Sequence, residues 1–244
     1  MTSMRQSCRA WRKRPPSHHF LLTTKGTKLT KKNCFLRTSC PKPALSDVEG
    51  GFLVVKLMTE YFLENFIEDL ERITRTEASQ EKIIAAAKPL LERLVRQPHC
   101  LDAKYKKRGM TAYGRYMLHR APRFNISSVV WGPGDSAKAH NHDTWGMVGV
   151  IDNEIQETRF RRKDDGARSD HADLETIAVL RNQAGMVSCL ISPNDDIHEM
   201  NNITSRDTVE IHVYGKDLTD MPRLRFDVAN KTVKTFASPK YDNC

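Results

Sequence analysis

The sequence lacks any run of apolar residues close to the ~20 that a helix needs to cross a bilayer, and it has no secretory core segment. It is also short of usable cysteine pairs. The six cysteines among 244 residues include no pair at the spacing of a zinc site or a redox motif. These absences argue against a membrane protein and against a disulfide-rich secreted protein. We therefore expect a soluble protein of the reducing cytoplasm.

The body of the chain lacks a net positive charge, although the whole chain carries +9 at pH 7. Residues 1–57 hold 12 Lys or Arg against two acids, whereas the remaining 187 residues hold 27 against 28. A phosphate-binding face on a folded domain needs clustered basic residues. The charge pattern therefore argues against nucleic acid as a partner.

The basic segment 1–57 has two interpretations, and neither makes it part of a folded domain. It is rich in Arg, Lys and Ser and poor in acids, as an organelle transit peptide is. The alternative is non-native sequence read from an early start codon. We favour the alternative because Met58 opens MTEYFLENFIEDLERI, a convincing first helix. The domain is then expected to span 58–244.

Apolar spacing divides this domain into a helical part, 58–100, and a β-rich part, 111–237. Two sets of apolar residues recur at helical spacing: Phe62, Phe66, Leu70 and Ile73 in the first set, and Ile83, Ile84, Ala87, Leu91, Leu94 and Val95 in the second. Short β-branched or alternating runs then follow, separated by Gly, Pro, Asn and Asp. The pattern predicts a mainly β sandwich or barrel preceded by two α-helices.

The segment AHNHDTWGMVGV places His140 and His142 one residue apart, ahead of an apolar run. If the segment is one strand, both side chains point to the same face, and two imidazoles on one face can chelate a metal. The plainer alternative is a polar pair on the solvent-facing edge of a strand. The surrounding sequence favours the metal.

Two motifs around these histidines resemble those of the cupin superfamily. The first is Gly-x5-His-x-His beginning at Gly134, and the second is Pro-x-Asp-x-x-His-x-x-x-Asn beginning at Pro193, with Asp195 where glycine is usual. The resemblance implies a double-stranded β-helix, or jelly-roll barrel, with a metal at its mouth.

The first motif departs from most cupins because Gly146 and Met147 stand where a carboxylate ligand is usual. In this respect the chain resembles the thiol dioxygenases, the family of cysteine dioxygenase and 3-mercaptopropionate dioxygenase, over most of residues 112–218. The resemblance implies Fe(II) bound by His140, His142 and His198. It also implies a reaction that adds both atoms of O2 to a thiol sulfur and gives a sulfinate. Three neutral ligands would leave the metal's charge available to an anionic thiolate.

The segment VEIHVYG alternates, so Glu210, His212 and Tyr214 are expected on one strand face. His212 and Tyr214 match a His–Tyr hydrogen-bond relay of the family, which has Ser where this chain has Glu210. A carboxylate there would hold the tautomer of His212; the alternative is a salt bridge at the rim. The resemblance implies no cysteine–tyrosine crosslink, because the matching place is Gly146 or Met147.

The segment TAYGRY places Tyr113 and Arg115 on one strand face. They match the Tyr and Arg that hold the substrate carboxylate in cysteine dioxygenases, and Arg binds a carboxylate through two parallel hydrogen bonds. Arg223 matches an arginine of bacterial mercaptopropionate enzymes. The resemblance thus favours cysteine as substrate, with 3-mercaptopropionate next.

Two other functions remain open at this point. One is a metal-binding cupin with a regulatory role and no turnover, and the other is a different metallocupin enzyme that acts on a carbon substrate. For either, and for the dioxygenase, we expect small-molecule partners and a monomer or weak homo-oligomer.

Overall fold

The computed structural model describes residues 60–97, 99–109 and 113–244. The predictions for 1–57, for a domain start at Met58 and for the first residues of the β-rich part fall outside these ranges.

Two α-helices come first, as expected: α1, Leu63–Thr76, and α2, Gln80–Val95. Most of the residues at helical spacing are buried, but Phe62 is not. It stands at the N-cap position of α1 and is 44% exposed, so it lies outside the buried face of the helix. Within the described residues, no helix has the length and apolarity to cross a membrane.

The strands form two antiparallel sheets, in the orders β1-β2-β9-β4-β7 and β11-β10-β3-β8-β5-β6. Within the described residues the strands are β1 Tyr113–Ala121, β2 Phe124–Trp131, β3 Ser136–His140, β4 Gly146–Asp152, β5 Glu154–Arg162, β6 Leu174–Gln183, β7 Val187–Leu190, β8 Ile197–Asn201, β9 Thr208–Tyr214, β10 Arg223–Asp227 and β11 Thr232–Phe236. This is the predicted mainly β jelly-roll with two N-terminal helices.

The core has two layers, which explains why every residue of β2 and β9 is buried. One face of these strands packs under the helices, where Ile126 and Ile211 join the helical apolar residues. The other face, which includes Val129 and Trp131, points into the space between the two sheets. Gly149 of β4 allows the close helix contact, because a Cβ there would lie 2.8 Å from Val95 Cγ1.

The condition that AHNHDTWGMVGV is one strand is not met. Strand β3 ends at His140, the chain then crosses from one sheet to the other, and β4 begins at Gly146. His142 therefore lies in the crossing loop, and its direction is not set by strand alternation.

Candidate metal centre

Three histidines converge between the sheets. His140 ends β3, His142 follows in the loop, and His198 lies on β8 directly opposite His140 in the strand register. Each offers one nitrogen, and these three nitrogens all lie within 4.8 Å of one another. The rings themselves are 4.7–5.0 Å apart by centroid. Such a triangle suits a metal bound on one face.

The same nitrogen is left available on all three rings. Nδ1 of His140 lies 2.8 Å from the carbonyl of Lys138, Nδ1 of His142 lies 3.0 Å from the carbonyl of Asp196, and Nδ1 of His198 lies 2.9 Å from Glu157 Oε1. These oxygens accept hydrogen bonds, so each Nδ1 donates and each Nε2 keeps its lone pair. Nε2 of His142 is buried with no hydrogen-bond partner within the described structure. A metal ion would satisfy it.

Burial keeps the first two histidines neutral. It lowers the pKa of His140 and of His142 well below the ordinary value, and the neighbouring imidazoles add to the effect. Neutral imidazole is the form that binds a metal. Two neutral imidazoles beside a third, with Nδ1 of every ring already engaged by an acceptor, form a donor set that fits a divalent transition-metal ion.

The loop holds His142 through Asp196 rather than through strand geometry. The Asp196 carboxylate accepts hydrogen bonds from the backbone amides of His142 and Asp143 at 3.2 and 3.1 Å. Its own carbonyl accepts from the His142 ring. One residue thus fixes both the backbone and the ring of this ligand.

Glu157 belongs to the histidine cluster but was not predicted from the sequence. It is fully buried on β5, and its carboxylate accepts hydrogen bonds from His198 at 2.9 Å, Asn182 at 2.7 Å and Arg159 at 3.2 Å. Burial raises the pKa of Glu157, but the hydrogen bonds and the charge of Arg159 outweigh burial, and the result is a lowered pKa. The carboxylate therefore stays ionised and orients the His198 ring.

The three predicted relay residues are in contact along β9. Glu210 Oε2 lies 2.8 Å from His212 Nε2, and His212 Nδ1 lies 2.9 Å from the Tyr214 hydroxyl. Trp131 donates to the same Glu210 oxygen at 2.6 Å. Glu210 is fully buried, so the alternative of a salt bridge at the rim was wrong.

The direction of the hydrogen bonds in this relay follows from its ends. Burial raises the pKa of Tyr214, so the phenol keeps its proton. Its O–H donates a hydrogen bond to His212 Nδ1. His212 then donates from Nε2 to Glu210, which only accepts. The Tyr214 ring stacks on His142 with centroids 4.9 Å apart. Gly146 packs so closely on Tyr214 that a Cβ there would lie 2.8 Å from its ring.

A cavity of about 60 Å³ joins these groups. It is lined by the three histidines, His212, Tyr214, and the predicted substrate residues Tyr113, Arg115 and Arg223, with Trp131 and Ser238 among the other lining residues. The Tyr113 ring contacts the Trp131 ring at a tilt of 30°, with centroids 4.6 Å apart. No acidic side chain lines the cavity within the described structure.

The two arginines differ in burial. Arg115 is half-buried, whereas Arg223 is 3% exposed, with its Nε buried and without a hydrogen-bond partner. Burial lowers the pKa of Arg223. The resemblance favoured Arg115 for the substrate carboxylate, and both guanidinium groups lie at the cavity.

A jelly-roll barrel with three imidazoles converging between its sheets, two of them buried and one half-buried, defines a metal-binding cupin. A family model described as cysteine dioxygenase type I matches residues 90–226, more than half of the chain. The chain belongs to this family.

The similar solved structures are cupins at low identity. They include a Cupin_2 domain of an XRE family transcriptional regulator from Enterobacter cloacae (17% identity, covering 43% of this chain and 98% of that one, TM-score 0.32). They also include a cupin superfamily protein from Desulfitobacterium hafniense (15%, 50% and 94%, 0.35) and recombinant oxalate oxidase in complex with glycolate (16%, 48% and 59%, 0.36). These likenesses concern the fold alone.

Proposed function

We propose that this protein is an iron-dependent thiol dioxygenase that converts a small thiol to its sulfinate, with cysteine the favoured substrate and 3-mercaptopropionate next. The observation that carries the proposal is the cavity itself. Neutral imidazoles, a buried tyrosine relay and two guanidinium groups line one small space that has no acid of its own. The family to which the chain belongs supports the same chemistry.

His140, His142 and His198 would hold the Fe(II). Bound iron would supply the redox chemistry that joins O2 to a thiolate sulfur held in the same cavity. Because three imidazoles bring no charge, the full positive charge of the ion would act on the anionic sulfur. A site without a carboxylate ligand would therefore bind an anionic thiolate more strongly.

Tyr214, His212 and Glu210 would take the proton that a thiol loses on binding. The Tyr214 oxygen accepts the S–H proton while its own proton passes to His212 Nδ1, and the Nε2 proton of His212 moves toward Glu210. The net result is a thiolate in the cavity and one proton stored on the His212–Glu210 pair. The carboxylate makes the imidazole a better base than a serine hydroxyl would.

Arg115 and Arg223 would bind the substrate carboxylate. Each guanidinium offers several donors in a fixed planar arrangement. Among the described residues, their hydrogen-bond partners are carbonyl and hydroxyl oxygens, and no carboxylate forms an ion pair with either. Tyr113 would add a hydroxyl at the same end. A thiol that carries a carboxylate is thus bound at both ends.

The cavity volume restricts the substrate to small thiols. At about 10–15 Å³ for each water-sized group, 60 Å³ accommodates about four to six such groups. That is the scale of a thiol with a few heavy atoms, such as 3-mercaptopropionate or cysteine, and well below that of a peptide thiol such as glutathione. We place this activity in cysteine metabolism of the cytoplasm, and the three free cysteines of the described residues are compatible with that proposal.

Oxygen uptake by iron-loaded protein tests the proposal. Cysteine and 3-mercaptopropionate should each drive uptake with one O2 consumed for each sulfinate formed, whereas cysteamine, which has no carboxylate, should be a poor substrate. Arg115→Ala should lower kcat/KM for the two carboxylates by roughly 10- to 150-fold and leave cysteamine nearly unchanged. Metal binding without uptake on any thiol would contradict the proposal and favour a binding or regulatory cupin.

A further inference from the structure

The C-terminal segment Phe236–Asn243, here called the strap, contacts both arginines of the cavity. Arg115 donates from Nη1 to the carbonyl of Pro239, and Arg223 donates from Nη2 to Ser238 Oγ. The Arg115 guanidinium also lies over the Tyr241 ring, 4.5 Å from its centroid. Ser238 itself lines the cavity.

The strap is fixed to β1, the edge strand of its sheet. Arg115 donates its backbone N–H to Asp242 Oδ2 at 2.9 Å, and the Asp242 N–H donates to the Arg115 carbonyl at 2.7 Å. Asn243 exchanges two hydrogen bonds with the backbone of Met117, both at 2.9 Å. Two residues of the strand and two of the strap thus share an interface that satisfies an open sheet edge.

The other end of the strap lies beside the histidines. The Phe236 ring lies 4.6 Å from the Arg223 guanidinium and meets the His140 ring edge-on, with centroids 5.9 Å apart. One continuous segment therefore runs from a predicted metal ligand past both arginines.

The groups of the strap that contact the two guanidinium groups carry no charge, and this affects how an anionic ligand would bind. The strap holds two positive groups with a carbonyl, a hydroxyl and aromatic faces, all of them uncharged. A carboxylate in the same place would neutralise the guanidinium groups and compete with an anionic ligand. Neutral acceptors orient the two guanidinium groups without neutralising them. Their positive charge therefore remains available to an anionic ligand in the cavity.

We infer that the strap is part of the substrate site, and that Ser238 is a positioning residue that directs Arg223 toward the substrate carboxylate. The inference rests on the proposed function. The segment lies beyond residue 226, where the family match ends.

Anaerobic binding to the iron-loaded protein tests this inference. Tryptophan fluorescence would follow the titration, because Trp131 lines the cavity. The ligands are cysteine, 3-mercaptopropionate, cysteamine, and propionate as a carboxylate without a thiol. Ser238→Ala should raise the Kd of the three carboxylates roughly 3- to 10-fold by removing one orienting hydrogen bond, with little change for cysteamine. Ser238→Thr, which keeps the hydroxyl, should restore binding, and the exposed control Lys240→Ala should change nothing.

Equal weakening of all four ligands by Ser238→Ala, or no weakening of any, would overturn the inference. So would a wild-type protein that binds no carboxylate. If no thiol drives oxygen uptake but propionate binds and depends on Ser238, the proposed function fails and the role of the strap stands.

Discussion

Replacing Glu157 by Gln should weaken metal binding while the barrel stays folded. The substitution keeps the shape of the side chain but removes its charge and places an NH2 group where one carboxylate oxygen stands. That group faces either the ring N–H of His198 or the amide of Asn182, both of which donate to Glu157. Asn182 can turn its amide to accept instead, but the charge stays lost.

The lost charge sets the magnitude. A hydrogen bond to a charged group contributes about 1.5–3 kcal/mol, and removing such a partner from a metal-binding histidine lowers metal affinity about 10- to 100-fold. Arg159 remains paired with Asp195 at 2.6 Å in the variant, so its charge is not left without a partner. We therefore expect the loss to appear mainly in metal affinity and less in stability.

The assay is a competition titration of Fe(II) against a chromophoric chelator without oxygen, with the melting temperature of the metal-free protein measured alongside. Glu154→Gln is the matched control, because Glu154 lies on the same strand but pairs at the surface with Arg181. An unchanged Kd in Glu157→Gln, with the control also unchanged, would refute the reasoning that this carboxylate tunes His198.

Three further predictions concern single residues. His140→Ala should abolish the binding of about one Fe(II) per chain, measured by metal analysis after loading. Glu210→Gln can keep the hydrogen bonds from Trp131 and His212 on one oxygen, so it loses only the charge. The kcat for oxygen uptake should fall about 10-fold or more, while the metal content stays constant. Asp164→Asn tests pH dependence: hydrogen bonds from Arg162, and then from backbone amides, lower the pKa of Asp164. Its stabilising effect is thus present above the unfolded-state pKa and is lost as pH falls through the folded-state value. Urea unfolding should show a loss of about 1–2 kcal/mol at about pH 7 and a smaller one at about pH 2.

The sequence was sufficient for residues whose position follows from strand alternation. Glu210, His212 and Tyr214 are two apart on a regular strand, so their common face and their contacts could be predicted. The same rule misassigned the strand at His142. A change of sheet occurs between that residue and Gly146, and the loop depends on Asp196, which is 54 residues away.

Glu157 and Ser238 could not be predicted for a related reason. On an alternating strand, Glu157 and Arg159 are typical of a solvent-facing charged pair, and nothing nearby in the chain indicates that both are buried. Their burial depends on partners on β8 and on the loop before it, which the fold brings opposite them. Ser238 lies among small and polar residues after the last strand, where sequence patterns carry little information.

The distribution of charge around the cavity links these residues to one consequence. The buried acids Glu157 and Glu210 are each hydrogen-bonded to a histidine and do not line the cavity, whereas both arginines do. Any divalent ion on the three neutral imidazoles would add to this positive charge. A thiol whose only charged group is a cation, such as cysteamine, would therefore be disfavoured, while a thiol that also carries a carboxylate could place one negative group at each end. This asymmetry is the physical reason to expect selection for the charge of the substrate before selection for its length.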